Sequence, residues 1–350
     1  MRVAMAAVAP YPRERLQVIK QIGVDHLVYY DMAMMPVEYA ALAAVVDQAA
    51  QVGLRFAAVE GGPPIDRIVF GKEGRDHQIA QFEQAIVNLG RLGIEVLCYT
   101  FMPPVLPDAM VVRTSYRAPA RGGALTTAFR SLDVTPDTVP HREDTVPVER
   151  MWDNLEYFLR RVVPVAEAAG VRLAMHPDDP PLSPICGLHR IMSSLEDFDR
   201  LLAIAPSPAN GITLCFGCFL EMSADLVAVV DRYQGRIHYL HYRDVAGVTS
   251  DFVETFPDDG PTDFRPVFDA LHRTGSTSPI RIDHVPRLAA EPGANDGYGF
   301  LGHVFATGYL KGLLESVTGK ASVARWRDVP PALRANRYGR DVGGPADSPR

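Results

Sequence analysis

The chain has 350 residues, of which 47% are hydrophobic and 22% charged, a composition typical of a folded globular protein that excludes disorder for most of the chain. The formal charge of −7, from 35 Lys and Arg against 42 Asp and Glu, and the lack of a long basic run argue against a nucleic-acid partner. Four cysteines are too few for a disulfide framework, which favours the cytoplasm, and no apolar run approaches the roughly 20 residues of a membrane-spanning helix, so no membrane partner is expected.

Short apolar runs alternate with longer segments of helical periodicity. The apolar runs predict eight strands, at residues 2–8, 25–30, 54–59, 94–99, 171–176, 211–216, 236–241 and 279–284. Each is followed by a predicted helix, at residues 12–22, 36–52, 76–92, 149–169, 194–204, 223–233, 263–273 and 299–316. This uninterrupted alternation predicts an α/β fold, a closed (β/α)8 TIM barrel, although an open doubly wound sheet would give a similar pattern.

One connection, residues 103–148 after the fourth predicted strand, is much longer than the others. Loops of this length are usually functional or disordered. This one contains several basic residues, namely Arg113, Arg117, Arg121, Arg130 and His141. It is predicted either to cover the active-site rim as a lid or to be a solvated insertion. We expect a single barrel domain over residues 1–330 with this insertion, and a tail at 331–350 whose end is rich in Gly, Pro and Asp.

The ends of the fifth to eighth predicted strands carry residues that could bind a metal ion. This predicted ligand set consists of His176, Cys215, His241 and Asp283. In a (β/α)8 barrel the carboxyl ends of the strands meet at one rim, so these side chains would converge there. Imidazole, thiolate and carboxylate ligands suit Mn, Fe, Co or Zn better than Mg or Ca. Each residue alone is more often structural, but core packing does not require all four on one rim.

Other residues near this rim allow more than one interpretation. Cys215 and Cys218 form a Cys-x-x-Cys pair, but no second pair completes a zinc cluster, so Cys218 is interpreted as a packing neighbour. Asp178 and Asp179 could be a paired acid and base, ligands of a second metal, or turn formers beside proline. Tyr298 and the residue after Asp283, His284, are suitable proton donors and acceptors, although either could be structural.

Longer motifs resemble those of the mannonate dehydratase family. Residues 173–181 read Leu-Ala-Met-His-Pro-Asp-Asp-Pro-Pro and are followed by Gly-Leu-His-Arg-Ile at 187–191. The similarity continues upstream at residues 96–103 and 113–114, and downstream at 210–211, Cys215, Gly217, 241–243, 283–284, 297–298 and 310–313. The resemblance covers roughly residues 50–316 and implies a sugar-isomerase-like TIM barrel.

The resemblance also implies an activity. The family would make this chain a Mn-dependent enzyme that dehydrates D-mannonate to 2-keto-3-deoxygluconate, with the predicted ligand set holding the metal. It implies His284 and Tyr298 as the acid and base. Arg243 would orient the substrate carboxylate as a bidentate partner, and Arg113 and Asp178 are further candidate substrate contacts. Fe2+, Co2+ or Zn2+ would also suit the ligands.

Three segments depart from the family pattern. No tryptophan precedes Trp152, residues 110–114 read Met-Val-Val-Arg-Thr instead of a Trp-Thr-Arg-Thr pattern, and residues 60–64 read Glu-Gly-Gly-Pro-Pro instead of a Ser-Val-Pro-like run. These segments would contact substrate hydroxyls, so the reaction type is better supported than the substrate. The alternatives are a metal-dependent sugar or sugar-acid isomerase or epimerase, and a catalytically silent barrel. The expected partner is a small sugar acid, and homo-oligomer formation is left open.

Overall fold

The computed structural model describes residues 1–8, 12–30, 35–105, 110–135, 145–291 and 297–319. Within them the strands are β1 (Arg2–Val8), β2 (His26–Tyr30), β3 (Arg55–Glu60), β4 (Val96–Tyr99), β5 (Ser115–Pro119), β6 (Leu125–Arg130), β7 (Arg172–Met175), β8 (Asn210–Cys215), β9 (Ile237–Tyr242), β10 (Val245–Val248), β11 (Asp251–Glu254) and β12 (Pro279–Ile282). Eight of these strands close a parallel barrel in the order β1-β2-β3-β4-β7-β8-β9-β12. They are the eight strands predicted from the sequence, so the barrel is confirmed.

The helices that follow these strands are α1 (Arg13–Gln21), α2 (Tyr39–Ala50), α3 (Asp66–Val69), α4 (Arg75–Arg91), α5 (Val148–Ala169), α6 (Leu195–Ile204), α7 (Phe216–Glu221), α8 (Leu226–Arg232), α9 (Arg265–Arg273) and α10 (Phe300–Thr318). The eight predicted helices are present with slightly shifted ends. The short helices α3 and α7 were not predicted, because four to six residues are too few to show a helical period. In the described part of the chain, no helix combines the length and apolarity needed to cross a membrane.

Two layers of apolar side chains hold the barrel. The inner cluster comes only from strands and fills the barrel interior; it comprises Ala4, Val28, Ala58, Val96, Cys98, Ala174 and Tyr239. A much larger cluster packs the outer faces of the strands against the surrounding helices. Because the interior is filled with side chains, ligands can reach the barrel only at its rim.

A second sheet lies outside the barrel and is antiparallel, in the order β10-β11-β6-β5. Two of its strands belong to the long connection after β4, so the prediction of a loop there was wrong for residues 115–130. The strands were missed because β5 is largely exposed and carries no apolar run, and β6 is covered by β11, which is more than 100 residues later in the chain. Phe129 packs on Phe252 across this pair, with ring centroids 5.8 Å apart. His141 and the predicted tail at 331–350 lie outside the described residues, and the lid stays a prediction.

Candidate metal and acid–base site

The predicted ligand set meets at the carboxyl ends of the barrel strands. The register pairs Cys215 of β8 with His241 of β9. His176 Nε2 lies 3.2 Å from His241 Nδ1, and Cys215 Sγ lies 3.6 Å from Asp283 Oδ2. The ligand atoms of Cys215, His241 and Asp283 all lie within 4.8 Å of one another. The ligand atoms of the four side chains can therefore converge on one point, as the positions of these residues at the strand ends predicted.

The hydrogen bonds of the two histidines show which nitrogen of each ring is free. His176 Nδ1 donates to the Pro177 carbonyl at 2.7 Å, so in the neutral imidazole its Nε2 carries the lone pair. His241 Nε2 donates to the Glu60 carboxylate at 3.1 Å, so in the neutral imidazole its Nδ1 carries the lone pair. Two facing nitrogens of this kind need a cation between them, either a metal ion or a proton. Without a metal a proton takes this place: burial would lower the pKa of His176, but Cys215 and Asp283 raise it to about 9. Two nitrogens bound to one metal at about 2.1 Å would have a similar spacing of roughly 3 Å.

Glu60 and Arg281 form hydrogen bonds with the predicted ligands His241 and Asp283. Neither residue was among those selected from the sequence. Arg281 donates from Nε to Glu60 Oε2 at 2.7 Å and from Nη2 to Glu60 Oε1 at 2.5 Å. The same Nη2 donates to Asp283 Oδ1 at 3.1 Å. Burial alone would raise the pKa of Glu60, but the charges of Arg281 and His241 hold it far below its usual range. Glu60 could have been selected from the sequence, because it is a carboxylate at the end of β3, on the same rim.

Residues in and next to the small sheet add a second group of charges to the site. Arg113, just before β5, donates to Asp179 at 2.7 Å and to Glu254 of β11 at 2.7 Å. Arg243 donates to the same Glu254 oxygen at 2.5 Å, and both guanidinium groups are almost completely buried. Carboxylates therefore enclose the two arginines that were predicted to bind substrate. Their contacts favour a structural role, and the substrate role stays a prediction.

The two cysteines of the Cys-x-x-Cys pair have opposite acidities. Burial would raise the pKa of Cys215, but a hydrogen bond from Cys218 and the charge of Arg243 lower it well below the usual value. Burial and the neighbouring thiolate raise the pKa of Cys218. Arg243 Nη2 lies 3.1 Å from Cys218 Sγ and 3.7 Å from Cys215 Sγ. The lowered pKa favours the thiolate form of Cys215, and Cys218 contributes to this through its hydrogen bond.

The predicted acid and base also lie together. Tyr298 Oη is 3.1 Å from His284 Nε2, and His284 Nδ1 is 2.8 Å from Glu254 Oε1. Tyr30 stacks on Tyr298 with ring centroids 5.1 Å apart. Burial raises the pKa of Tyr298 well above its usual value, so its hydroxyl keeps its proton at neutral pH. The His284 side chain keeps 11% exposure whereas Arg243 keeps none, so the pair is reachable from the rim.

Asp178 and Asp179 have different roles in the structure. Asp178 Oδ2 accepts hydrogen bonds from Met192 N at 2.7 Å and from Ser193 Oγ at 3.0 Å, which ties the segment after β7 to the start of α6. Asp179 joins the arginine network instead. The contacts of Asp178 favour the turn-forming interpretation, and its substrate-binding role stays a prediction without a supporting contact.

Buried charges of both signs line the rim. The anions are four carboxylates of lowered pKa and one thiol of lowered pKa: Glu60, Asp179, Glu254, Asp283 and Cys215. The guanidinium groups among them are Arg113, Arg243 and Arg281, and the neighbouring anions also raise the pKa values of His176 and His284. Burial raises the pKa of a further carboxyl, Glu221, which favours its neutral form. A thiol of lowered pKa and a carboxylate beside two imidazoles fit the ligand set of a divalent metal ion.

Comparison with known proteins identifies relatives along most of the chain. The family model described as D-mannonate dehydratase (UxuA) matches residues 9–142 and 140–323. Mannonate dehydratase 2 of Halalkalibacterium halodurans is 30% identical over 354 aligned residues, which cover 91% of this chain and 100% of the relative. Mannonate dehydratase 1 of Bacillus licheniformis is 32% identical over 337 residues, which cover 86% of this chain and 91% of the relative.

Solved structures give the same picture. The crystal structure of mannonate dehydratase from Streptococcus suis serotype 2 has a TM-score of 0.83 and 29% sequence identity, covering 93% of this chain and 99% of that one. A D-psicose 3-epimerase crystallised with D-fructose has a TM-score of 0.58 at 12% identity, covering 90% and 99%. A xylose isomerase domain protein from Alicyclobacillus acidocaldarius has a TM-score of 0.60 at 14% identity, covering 91% and 100%. The last two likenesses show a shared barrel fold only.

Proposed function

Because this chain belongs to the D-mannonate dehydratase family, we propose that it eliminates water from D-mannonate or a closely related sugar acid to give a 2-keto-3-deoxy acid. As a member of that family it is a sugar-acid dehydratase, which is a carbon–oxygen lyase. The observation that carries the choice of residues is the adjacency of two groups at one rim. The predicted ligand set lies directly beside the hydrogen-bonded pair His284 and Tyr298.

The ligands would be His176 through Nε2, His241 through Nδ1, the Cys215 thiolate and the Asp283 carboxylate. A divalent metal held there, Mn2+ first and Fe2+, Co2+ or Zn2+ as alternatives, would polarise the carboxylate and a hydroxyl of the sugar acid. Cys215 has to stay reduced to act as a thiolate, so we expect the enzyme to work in a reducing compartment such as the cytoplasm.

The acid–base pair accounts for the proton movements. His284 Nε2 takes the proton from C2 of the substrate, and the Tyr298 hydroxyl gives its proton to the C3 hydroxyl, which leaves as water. The enol that forms becomes the 2-keto acid by tautomerisation. Because the two side chains are 3.1 Å apart, the proton gained by His284 then passes to the Tyr298 oxygen. Both groups return to their starting state without an external proton.

The first experiment is an assay of purified protein loaded with Mn2+ on D-mannonate, with other aldonic acids in parallel. We expect a 2-keto-3-deoxy product and about one metal ion per chain. A product isomeric with the substrate would instead indicate an isomerase or epimerase. If the metal-loaded protein forms no 2-keto-3-deoxy acid from any aldonic acid, the proposed function is wrong.

The role of Tyr298 is tested by Tyr298→Phe. We expect kcat to fall at least about 100-fold, the usual contribution of an acid–base residue, with metal content unchanged. The matched control is Tyr157→Phe, which removes a hydroxyl bonded to Asp76 at 2.7 Å between the outer helices α5 and α4. This control should keep full turnover. Unchanged turnover in Tyr298→Phe would remove Tyr298 from the mechanism.

A further inference from the structure

Glu254 is a carboxylate that contacts the acid–base pair from outside the barrel. It is the last residue of β11, so the small sheet and not a barrel strand brings it to the site. Its side chain is completely buried. One oxygen, Oε1, receives three contacts: Arg113 Nη2 at 2.7 Å, Arg243 Nη1 at 2.5 Å and His284 Nδ1 at 2.8 Å. The other oxygen, Oε2, has no hydrogen-bond partner in the described structure.

These contacts determine where the proton of His284 sits. A guanidinium group can only donate, so Oε1 accepts from both arginines and cannot itself carry a proton. His284 Nδ1 must then be the donor to Oε1. In the neutral imidazole the lone pair is left on Nε2, the nitrogen that faces the Tyr298 hydroxyl.

We propose that Glu254 is a positioning residue that holds His284 in the Nδ1–H tautomer and so keeps Nε2 free to take a proton. This inference rests on the proposed function, in which His284 Nε2 is the base. A different tautomer would place a hydrogen on Nε2 and block that step, although every other residue of the site would be unchanged. The hydrogen bonds of Glu254 in the described structure go to Arg113, Arg243 and His284, and not to the predicted ligand set.

Glu221 provides a comparison within the same molecule. Its carboxyl is equally buried and lies 3.2 Å from Arg243 Nη2, so it is also a neighbour of that arginine. Its contacts in the described structure do not include His284. Loss of Glu221 therefore removes a buried carboxyl beside Arg243 without removing a contact of His284. If Glu254 positions His284, only its own loss changes the chemistry.

Two substitutions at Glu254 separate the hydrogen-bond acceptor from the charge. Glu254→Ala removes the acceptor. Glu254→Gln keeps a carbonyl oxygen at the Oε1 position, because the two guanidinium groups exclude an amide N–H there, and its NH2 group takes the place of the unpartnered Oε2. The glutamine variant should therefore keep the tautomer, and the alanine variant should lose it. Glu221→Ala is the control for loss of a buried carboxyl beside Arg243.

The kinetic test uses metal-loaded enzyme and D-mannonate. We expect kcat to fall at least about 100-fold in Glu254→Ala. It should stay within about tenfold of wild type in Glu254→Gln and within about threefold of wild type in Glu221→Ala. KM and metal content should change little in all three. Wild-type kcat in Glu254→Ala would overturn the proposal. Equal losses in the alanine and glutamine variants would also overturn it, since they would assign the effect to charge.

A second readout does not depend on turnover. Histidine labelled with 15N in the imidazole, in the Zn2+-loaded protein, reports by NMR which ring nitrogen carries the hydrogen, with His284 assigned by its absence in His284→Gln. We expect Nδ1–H in wild type and Glu254→Gln, and Nε2–H or a mixture in Glu254→Ala. If the alanine variant does not fold, the spectrum of the wild-type protein still tests the inference, because an Nε2–H signal from His284 in wild type would overturn it. Wild-type protein that shows Nδ1–H but no dehydratase activity would refute the proposed function and leave the Glu254 contact standing.

Discussion

Gly217→Ala should damage the site through Arg243, although alanine suits a helix better than glycine does. Gly217 lies in α7, and a Cβ atom added there would lie 2.7 Å from Arg243 Cζ and 2.8 Å from Nη2, and closer still to Nε. Ordinary contacts of a Cβ atom begin at 3.4 Å, so the guanidinium group would have to move by about 1 Å. It has no free direction, because it is completely buried among carboxylates.

The size of the effect follows from the contacts that such a shift disrupts. Moving Arg243 away from Gly217 disturbs its ion pair with Asp283, now 3.2 Å long, and its hydrogen bond to Glu254, now 2.5 Å long. Overpacking of this kind costs about 1–3 kcal/mol, and breaking a buried ion pair costs about 3–5 kcal/mol. We expect a loss of about 3 kcal/mol in the free energy of unfolding, together with weaker metal binding.

The assay is urea denaturation of metal-free protein, followed by metal binding in competition with a chelator. Gly308→Ala is the matched control, because Gly308 lies inside helix α10 and an added Cβ would meet nothing within 4 Å. That variant should be as stable as wild type or up to about 1 kcal/mol more stable, with unchanged metal affinity. If Gly217→Ala behaves like Gly308→Ala, Arg243 is not held rigidly and the description of the site as a fixed charge network is wrong.

Three further predictions concern metal and protons. Cys215→Ala should lose the bound metal while Cys98→Ala, which removes a thiol buried beside Thr213 inside the barrel, should keep it, as metal analysis of the purified variants would show. A chelator should lower the melting temperature and added metal should restore it, because a metal ion that binds only the folded protein stabilises it; an unchanged melting temperature would contradict this. The arginines and His284 hold the pKa of Glu254 well below 4.5, so its contribution to stability is present above pH 4.5 and lost as pH falls below that value. The difference in melting temperature between wild type and Glu254→Gln should accordingly shrink between about pH 7 and about pH 3.5, and a constant difference would count against it.

The barrel could be predicted because its signals are local. Each strand and each long helix shows its own period over a short stretch of chain, and eight repeats of the same unit leave few possible topologies. The small sheet shows no comparable signal. Its strand β5 is largely exposed and carries no apolar run, and β6 is covered by β11 far along the chain. Strands of this kind lack the apolar run that marks the barrel strands.

The predicted ligand set followed from the barrel. Once the strands are placed, the residues at their carboxyl ends must lie at one rim, and His176, Cys215, His241 and Asp283 were read from the sequence on that basis. The residues that support these ligands were not predicted from the sequence. Arg281 occupies a barrel strand, where the buried guanidinium group is neutralised by Glu60 of β3 and by Asp283. Neither residue predicts the other, since 221 positions separate them in the chain.

The sequence by itself therefore determined the class of fold, the rim where chemistry is expected and the residue types offered there, because these depend on local period and on an alternation that few topologies satisfy. Only the tertiary structure decided which nitrogen of each histidine is free, which aspartate joins the site and which carboxylate holds His284. Those features depend on contacts such as that between Arg113 and Glu254, 141 positions apart. The physical reason is that the direction of a hydrogen bond and the acidity of a buried group are set by neighbours in space, which local sequence patterns do not specify.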